Sequence, residues 1–437
     1  MADPAGKGRR LKTRALLGSR RLRYAATAAL VAAACAGAFF ASNRSSDAVY
    51  AASAVAAPAI VNGNPAGPEA QLFRTLHEVS NRRLDVAVVE VDKIISAYPH
   101  FRLAHLIKGD LLLARARPLT TVGNAPGAPR DLLEDLREEA RARLARIQQQ
   151  RPVDLVPRYL VQLQPGQHHA LVVDTARSTL YVFENRGGEA RYVADYYVTI
   201  GRNGIDKFKE GDKKTPLGVY HVTGNIPREK LSATYGKASE LYGTGALPLS
   251  YPNEWDRRQG REGYGIWLHG VPFDTYSRPP RASDGCVALT NEDFKVIAKY
   301  AEVGVTPVII AHGIEWVGSG AARLLRKDLA QSIEGWRRDW ESLDTGKYLT
   351  HYAAEFTSGQ MDLAQWSEQK HKVNAGKTWI KLNVDKVSVF LYPGRDDLVV
   401  VTFDQDYASS NLTNQMRKRQ YWIREGGAWR ILHEGAA

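Results

Sequence analysis

Apolar side chains recur every three to four residues through the first folded stretch of the chain. Leu72, Leu76 and Val79 show this spacing, which continues to about residue 117. It places an apolar stripe along a helix, so it predicts helical structure. Tyr98-Pro99 divides the stretch into a pair of helices, because a proline ends the helix that precedes it. A further helix is predicted at about 131–150, where alternating Glu and Arg indicate a solvated face.

The pattern changes to short apolar runs from His168 onward. These runs are separated by Gly and Pro, which is typical of a mainly β domain. Strands are predicted at 170–174, 179–183, 192–200, 219–223, 266–268 and 308–310, with a helix at 291–303. Further on, a helix is predicted near 320–342, and strands at 379–392, 398–409 and 417–433. This second arrangement indicates a separate α+β domain, so the predicted fold class is multidomain α+β.

Residues 1–54 have the pattern of an export leader. Eight Lys or Arg and one Asp in 1–24 precede an unbroken run of apolar or small side chains at 25–41. A basic flank before an apolar run predicts a signal peptide or a signal anchor. The positive-inside rule then puts the folded part outside the inner membrane. Residues 55–69, rich in Ala, Pro, Gly and Asn, are predicted to be a linker.

The charge of the chain bears on the class of partner. The formal net charge is +12, of which the leader supplies +7 and the rest of the chain +5. This mild excess does not indicate a nucleic-acid partner. It suits an anionic cell-wall polymer, as it would suit many ordinary domains.

Cysteine usage singles out one residue. Outside the leader, the chain has a single cysteine, Cys286. An unpaired thiol in an exported chain is usually a catalytic nucleophile or an inert buried residue. His269 ends an apolar run earlier in the chain, and a histidine in reach can form a thiolate–imidazolium pair with a cysteine. Gly285 lets the backbone approach a substrate, and the amide of Cys286 can help to stabilise an oxyanion. One mature cysteine argues against a structural zinc site.

Three segments, in this order, resemble the catalytic domain of the L,D-transpeptidases (the YkuD-type domain). They are Thr215-Pro216-Leu217-Gly218, the run ending in His269-Gly270, and Ser283-Asp284-Gly285-Cys286-Val287. The resemblance covers about 165–312 and implies a bacterial β-rich domain that remodels peptidoglycan without a cofactor. It implies that Cys286 is the nucleophile, His269 the general base and Gly270 the source of a carbonyl that orients the ring. Members of the family attack the third stem-peptide residue, a diamino acid, and expel the terminal D-amino acid before an amine resolves the thioester.

The cysteine string departs from the family pattern at two positions. Asp284 stands where the family has His, and Ala288 where it has Arg. A carboxylate near a thiolate opposes ionisation, so Asp284 either points away or binds the amino group of the diamino acid. Arg278 and Arg281 either replace the missing Arg as carboxylate binders or serve loop solubility. The predicted substrate-contacting residues are Ser283, Asp284, Gly285, Arg278, Arg281 and Tyr264.

Three further segments leave alternatives open. Residues 228–262, which include Tyr251 and Trp255, are either a lid over the cleft or a long surface loop. Residues 70–150 resemble a fragment of a tetratricopeptide repeat and are either a platform for a protein partner or a helical cap. Residues 320–437 resemble the SnoaL-like cone, an α+β fold seen as an appendage on some transpeptidases of this type. The sequence shows no clear acid/base pair in this domain, which favours binding or dimerisation over a second enzyme, and its aromatic residues are expected in the core and not in a ligand cage.

Three functions follow from these observations. The first is a periplasmic L,D-transpeptidase, soluble or anchored by the N-terminal segment, that acts on peptidoglycan stem peptides and transfers to an amine. The second is a hydrolase with the same Cys286 and His269, because the variant string resembles the murein-peptide branch of the family. That branch includes enzymes that release peptidoglycan-linked lipoprotein. The third is a non-catalytic scaffold that binds the cell wall.

Overall fold

The chain folds as helices, then a β-rich middle domain, then a C-terminal domain built on a long sheet. The computed structural model describes residues 67–119, 121–125, 127–148 and 154–437. The predicted leader and most of the predicted linker lie outside these residues. In the described part of the chain, no helix is both long and apolar enough to cross a membrane. The predicted multidomain α+β fold class is confirmed.

The N-terminal layer is formed by helices α1 (Pro68–Ser80), α2 (Leu84–Ala97), α3 (Arg102–Ala114) and α4 (Arg130–Gln148). The prediction of two helices up to residue 117 was wrong. The part before Tyr98-Pro99 contains two helices, α1 and α2, so the stretch contains three. Arg82 takes a left-handed φ of 60° between them and breaks the hydrogen-bond ladder. The helices bury one shared apolar core, which includes Val91, Leu103 and Ile107.

Helix α4 does not present a purely solvated face, contrary to the prediction. Glu139, Arg143 and Arg146 are all buried. Arg146 pairs with Glu69 of α1 at 3.1 Å, and the Arg143 guanidinium pairs with Glu69 and with Glu139. The sequence pattern could not reveal this, because the partner on α1 is remote along the chain.

The middle domain contains two main sheets around one apolar core. Its strands are β1 (Leu155–Pro157), β2 (Leu160–Gln162), β3 (His169–Asp174), β4 (Thr179–Arg186), β5 (Glu189–Tyr197), β6 (Ile200–Gly201), β7 (Gly218–His221), β8 (Ile226–Pro227), β9 (Gly245–Pro248), β10 (Trp267–His269), β11 (Arg281–Ser283), β12 (Val287–Ala288), β13 (Pro307–Ala311) and β14 (Trp316–Gly318). Its helices are α5 (Arg228–Tyr235), a 3-10 helix (Gly236–Tyr242), α6 (Glu254–Arg258) and α7 (Asn291–Tyr300). One sheet has the order β5-β4-β3-β13-β7 and the other β12-β10-β9-β8.

The C-terminal domain wraps a seven-stranded sheet around a long helix. Its elements are α8 (Ser319–Glu341), α9 (Thr345–Leu349), β15 (Tyr352–Ser358), β16 (Met361–Asp362), α10 (Leu363–Ala375), β17 (Ile380–Leu391), β18 (Leu398–Ser409), β19 (Leu412–Glu425) and β20 (Ala428–Ala436). The single strand predicted at 417–433 is wrong, because Gly426-Gly427 turns the chain and makes a hairpin of β19 and β20. Trp336 and Trp422 are fully buried, as expected of core aromatic residues.

The middle and C-terminal domains share an extensive contact. Strand β2 adds to the C-terminal sheet beside β17, although the sequence pattern did not predict a strand there. Trp255 of α6 is buried against Tyr392 and Tyr421, with ring centroids 6.0 and 6.1 Å away. The Glu254 carboxylate accepts hydrogen bonds from Arg419 at 2.9 Å and from the Tyr421 hydroxyl at 2.9 Å. The part of residues 228–262 that forms α6 is therefore neither a lid nor a surface loop, because it packs against the C-terminal domain.

Candidate active site

Parallel strand pairing places the cysteine turn beside the strand that carries the histidine. Strand β10 pairs with β12, with Leu268 opposite Val287 and His269 opposite Ala288. Cys286 comes directly before β12, so its loop meets the strand that carries His269. The His269 side chain is buried, whereas Cys286 is half-buried. Residues 270–285 connect β10 to β12 and bring the chain back beside β10.

The loop that carries Cys286 is a tight, internally bonded turn. The Ser283 hydroxyl donates to the Cys286 carbonyl at 2.6 Å and accepts from the Gly285 amide at 3.1 Å. Gly285 has a φ of +123°, and a Cβ there would lie 2.8 Å from the Lys214 carbonyl oxygen. Only glycine fits both the backbone conformation and the space.

Thr215 holds this turn from the neighbouring segment. Its hydroxyl donates to the Gly285 carbonyl at 2.9 Å and accepts from the Gly201 amide at 2.9 Å. This explains why a Thr-Pro-x-Gly segment accompanies the cysteine string. Sequence reasoning noted the segment but did not identify Thr215 as a positioning residue.

The ring of His269 is fixed by its own neighbour. Nδ1 lies 2.5 Å from the Gly270 carbonyl oxygen. A carbonyl only accepts, so Nδ1 carries the proton and the Nε2 lone pair is left to act as a base. Burial lowers the pKa of His269 to about 4; the Gly270 carbonyl opposes this change and the positive charge of Arg278 adds to it. The imidazole is therefore neutral at pH 7.

Asn291 fastens the backbone around His269 and was missed at the sequence level. Its Oδ1 accepts from the Thr244 amide at 3.0 Å, and its Nδ2 donates to the Val271 carbonyl at 2.9 Å. A Cβ on Gly270 would collide with the same Oδ1. The signal available in the sequence was a helix-start asparagine following the cysteine string, which many surface helices share.

Cys286 is a thiol in the unliganded protein. Its Sγ donates to the Gly265 carbonyl at 3.3 Å. Burial raises the pKa of Cys286 to about 11, and the Asp284 carboxylate raises it further, against the opposing charges of Arg278 and Lys207. These two shifts favour a thiol and a neutral imidazole at rest, and the thiolate–imidazolium pair of the sequence analysis stays a prediction.

Asp284 and the two predicted arginines take different positions. The Asp284 carboxylate is exposed and pairs with Arg202 at 2.9 Å, a partner that the sequence did not suggest. Arg278 is half-buried, and its charge acts on Cys286 and on His269. Arg281 is exposed at the start of β11, and Tyr264 is 74% exposed beside Gly265. Of these residues, Arg278 has the clearest place in the site.

An aromatic group covers the histidine from the other half of residues 228–262. The Tyr242 ring meets the His269 ring edge-on, with 5.2 Å between centroids, and lies 4.8 Å from the ring of Trp267. Tyr235 packs on Tyr242 at 6.1 Å. This part of the predicted lid does flank the site, although it is helical and not a loop.

Comparison with protein families agrees with this geometry. The model of the L,D-transpeptidase catalytic domain matches residues 168–310. The middle domain is thus similar to the L,D-transpeptidase catalytic domain. The model of the Cds6 C-terminal NTF2-like domain matches residues 328–435, which identifies the cone-shaped domain that the SnoaL-like resemblance predicted.

Similar proteins come from several bacteria. The Escherichia coli protein named L,D-transpeptidase YafK is 28% identical over 123 residues, which is 28% of this chain and 42% of YafK. Bd1075 of Bdellovibrio bacteriovorus is 28% identical with a TM-score of 0.56, over 65% of this chain and 98% of that structure. Pgp2 of Campylobacter jejuni, described as a helical cell shape determining protein, is 25% identical with a TM-score of 0.52, over 63% and 95%. The likeness to these two structures extends well beyond the L,D-transpeptidase domain.

The resting thiol makes a testable pH dependence. Alkylation of Cys286 by iodoacetamide in the unliganded protein should still be rising at pH 11, because only the thiolate reacts and its pKa is raised to about 11. An ordinary cysteine thiol, with a pKa of about 8.5, is mostly thiolate by pH 10, so its rate has levelled off there. Mass spectrometry of the Cys286 peptide between pH 6 and 11 measures the rate, with glutathione as the control. A plateau below pH 8 would show a preformed thiolate instead.

Proposed function

We propose that this protein is a cysteine-dependent L,D-transpeptidase that acts on peptidoglycan stem tetrapeptides and transfers the acyl group to an amine. The observation that carries the proposal is the fixed histidine tautomer beside the cysteine loop. His269 donates from Nδ1 to Gly270, and the pairing of β10 with β12 places the turn of Cys286 beside the strand of His269. The family of the middle domain and the cell-shape description of Pgp2 support a peptidoglycan substrate.

The reaction would proceed through a thioester. The Cys286 Sγ–H bond breaks as its proton passes to His269 Nε2, and the sulfur attacks the carbonyl carbon of the diamino acid. The C–N bond to the terminal D-amino acid then breaks, and His269 returns the proton to that leaving amine. An acceptor amine then attacks the thioester carbonyl and passes a proton to His269. The C–S bond breaks, and His269 returns that proton to the sulfur of Cys286. The Cys286 amide is the candidate donor to the oxyanion.

Proton transfer would occur on demand in this scheme. The resting thiol and neutral imidazole are stable because both groups are desolvated. A bound substrate carbonyl gives the sulfur an electrophile at the moment that it loses its proton. Arg278 supplies a positive charge near the sulfur, which suits a substrate carboxylate as well as the thiolate.

Mass spectrometry of reaction products tests the proposal. The purified full-length protein is incubated with tetrapeptide muropeptides, with lipoprotein-linked muropeptides, and with an added D-amino acid as the acceptor. The expected result is joined or amine-exchanged products, absent with Cys286→Ala. Tripeptide or freed lipoprotein without a joined product would make water the acceptor and replace transferase by hydrolase. No product with either substrate would favour a wall-binding scaffold.

Localisation and partners complete the proposal. The leader pattern of the sequence supports a periplasmic protein, either soluble or held by its N-terminal segment. A protein partner on the N-terminal helices and a dimer through the C-terminal domain stay predictions.

A further inference from the structure

We propose that the N-terminal helices position Arg278 in the active site. The segment that carries this arginine, residues 275–281, runs from the helical layer on one side to the cysteine turn on the other. The inference rests on the proposed function in one respect, that Arg278 binds a substrate carboxylate. The structural link itself concerns only how the guanidinium is held.

The first link is an aromatic anchor. Tyr276 is buried and belongs to the apolar core of the N-terminal helices. Its ring lies 4.5 Å from that of Phe101 and 4.8 Å from that of Tyr98. Its amide donates to the His100 carbonyl at 3.3 Å. A residue two positions from the guanidinium is thus part of another domain's core.

The second link is polar and starts one residue later. The Ser277 hydroxyl donates to the Glu139 carboxylate of α4 at 2.6 Å. The same carboxylate oxygen accepts from Arg143 Nε at 2.9 Å. Arg143 in turn stacks on Tyr197, with its guanidinium carbon 4.1 Å from the ring centroid. Since all these groups are largely removed from water, a change at one is felt by the others.

The carbonyl of Arg278 is held by two hydroxyl groups of the middle domain itself. The Tyr197 hydroxyl donates to this oxygen at 2.9 Å and the Thr199 hydroxyl at 3.0 Å. The Arg278 guanidinium itself bonds to the Ala282 carbonyl, just before the cysteine turn. The backbone of Arg278 is therefore fixed by the helical layer through Ser277 and Tyr276, and by the sheet through Tyr197. Ser277 and Glu139 are positioning residues for the arginine.

The test uses two reagents that differ only in charge. Iodoacetate carries a carboxylate and iodoacetamide does not, and both need the Cys286 thiolate. We use the rate with iodoacetate divided by the rate with iodoacetamide. The fraction of thiolate affects both rates equally and cancels in this ratio, so the ratio measures how strongly the guanidinium attracts a carboxylate to the sulfur. In the full-length protein, Arg278→Ala should lower this ratio about fivefold, the size of effect expected from one partly screened charge at close range. Ser277→Ala and Glu139→Ala, which remove the donor and the acceptor of this hydrogen bond, should each lower it about twofold to threefold.

Control variants separate positioning from loss of structure. Ser277→Thr keeps the hydroxyl and should restore the ratio. Asp110→Asn loosens the helical layer elsewhere, since Asp110 accepts from Gly123 at 2.6 Å and from Asn124 at 2.8 Å. It should leave the ratio unchanged even if the melting temperature falls. Ser277→Ala should have no further effect in the Arg278→Ala background.

Two results would overturn the inference. One is an unchanged ratio in Ser277→Ala and Glu139→Ala while Arg278→Ala lowers it, because the helices would then not act on the arginine. The other is an equal fall in Asp110→Asn, which would mean a general loss of structure. The assay needs no muropeptide, so its outcome is independent of whether the protein transfers, hydrolyses or only binds peptidoglycan.

Discussion

Replacing His269 by alanine should lower kcat/KM on a tetrapeptide muropeptide by about 1,000-fold or more. A positioned general base contributes roughly 100-fold to 10,000-fold, and here the thiol has little thiolate of its own because its pKa is raised to about 11. Cys286→Ala should remove the remaining activity. The double variant should be no worse than Cys286→Ala alone, because residues that act as one unit are not additive. Product formation measured by mass spectrometry gives these rates.

His221 provides the matched control for this experiment. Burial lowers its pKa to about 4, as it does for His269, but its charged neighbours are Arg419 and Glu254 at the contact between domains. His221→Gln should keep kcat/KM within about threefold of the wild type, as expected for a residue away from the reacting atoms. A retained, Cys286-dependent activity in His269→Ala would assign the base to another group. The two histidines have similarly lowered pKa values, so the pKa alone does not identify a catalytic histidine. His269 is chosen because its strand lies beside the turn that carries Cys286.

Local patterns predicted those parts of the molecule whose structure depends on nearby residues. The strand carrying Val172 and the strand carrying Ile309 are apolar on both faces, and such short runs are recognisable without their partners. Cys286 and His269 could likewise be selected, since their motif spans few residues. The hairpin of β19 and β20 was missed although Gly426-Gly427 is a recognised two-residue hairpin signal, so this turn could have been predicted from the sequence.

Features that need a distant partner were not predictable. Arg143 and Arg146 look like surface residues of a charged helix, yet Glu69 and Asp195 pair with them from other elements. From the sequence, Trp255 could belong to a substrate-binding surface, but in the structure the rings of Tyr392 and Tyr421 pack against it. The raised pKa of Cys286 depends on burial that no local pattern contains. For these arginines and for Trp255, contacts with elements remote along the chain overrode the usual preference of the residue type.

The polar interior of the C-terminal domain carries the second large prediction. Glu434 is 2% exposed and accepts from Lys418 at 3.1 Å, from Gln420 at 2.8 Å and from the Tyr352 hydroxyl at 3.4 Å. Lys370 lies over the Trp366 ring at 4.0 Å, and burial lowers its pKa to about 8. Glu434 is thus the carboxylate that compensates buried cations.

Glu434→Leu should destabilise this domain by about 3–5 kcal/mol, the usual cost of leaving a buried charge without its partner. Thermal unfolding followed by tryptophan fluorescence measures the loss, because Lys418 also lies 5.7 Å from the ring of Trp336. Glu425→Gln is the matched control. Glu425 pairs with Arg430 at 4.0 Å near the surface, and such a pair contributes about 0–1 kcal/mol.

The pH dependence and a double variant complete this test. Burial would raise the pKa of Glu434, but Lys418 and Lys370 outweigh it and lower the pKa. A lowered folded-state pKa means that the contribution is present above the unfolded value of about 4.3 and is lost as the pH falls through the folded value. Glu434→Leu should therefore lose less stability on acidification than the wild type does. Adding Lys418→Met should recover part of the loss, because two apolar residues can replace a buried pair; a further loss would mean that Lys418 has another essential partner.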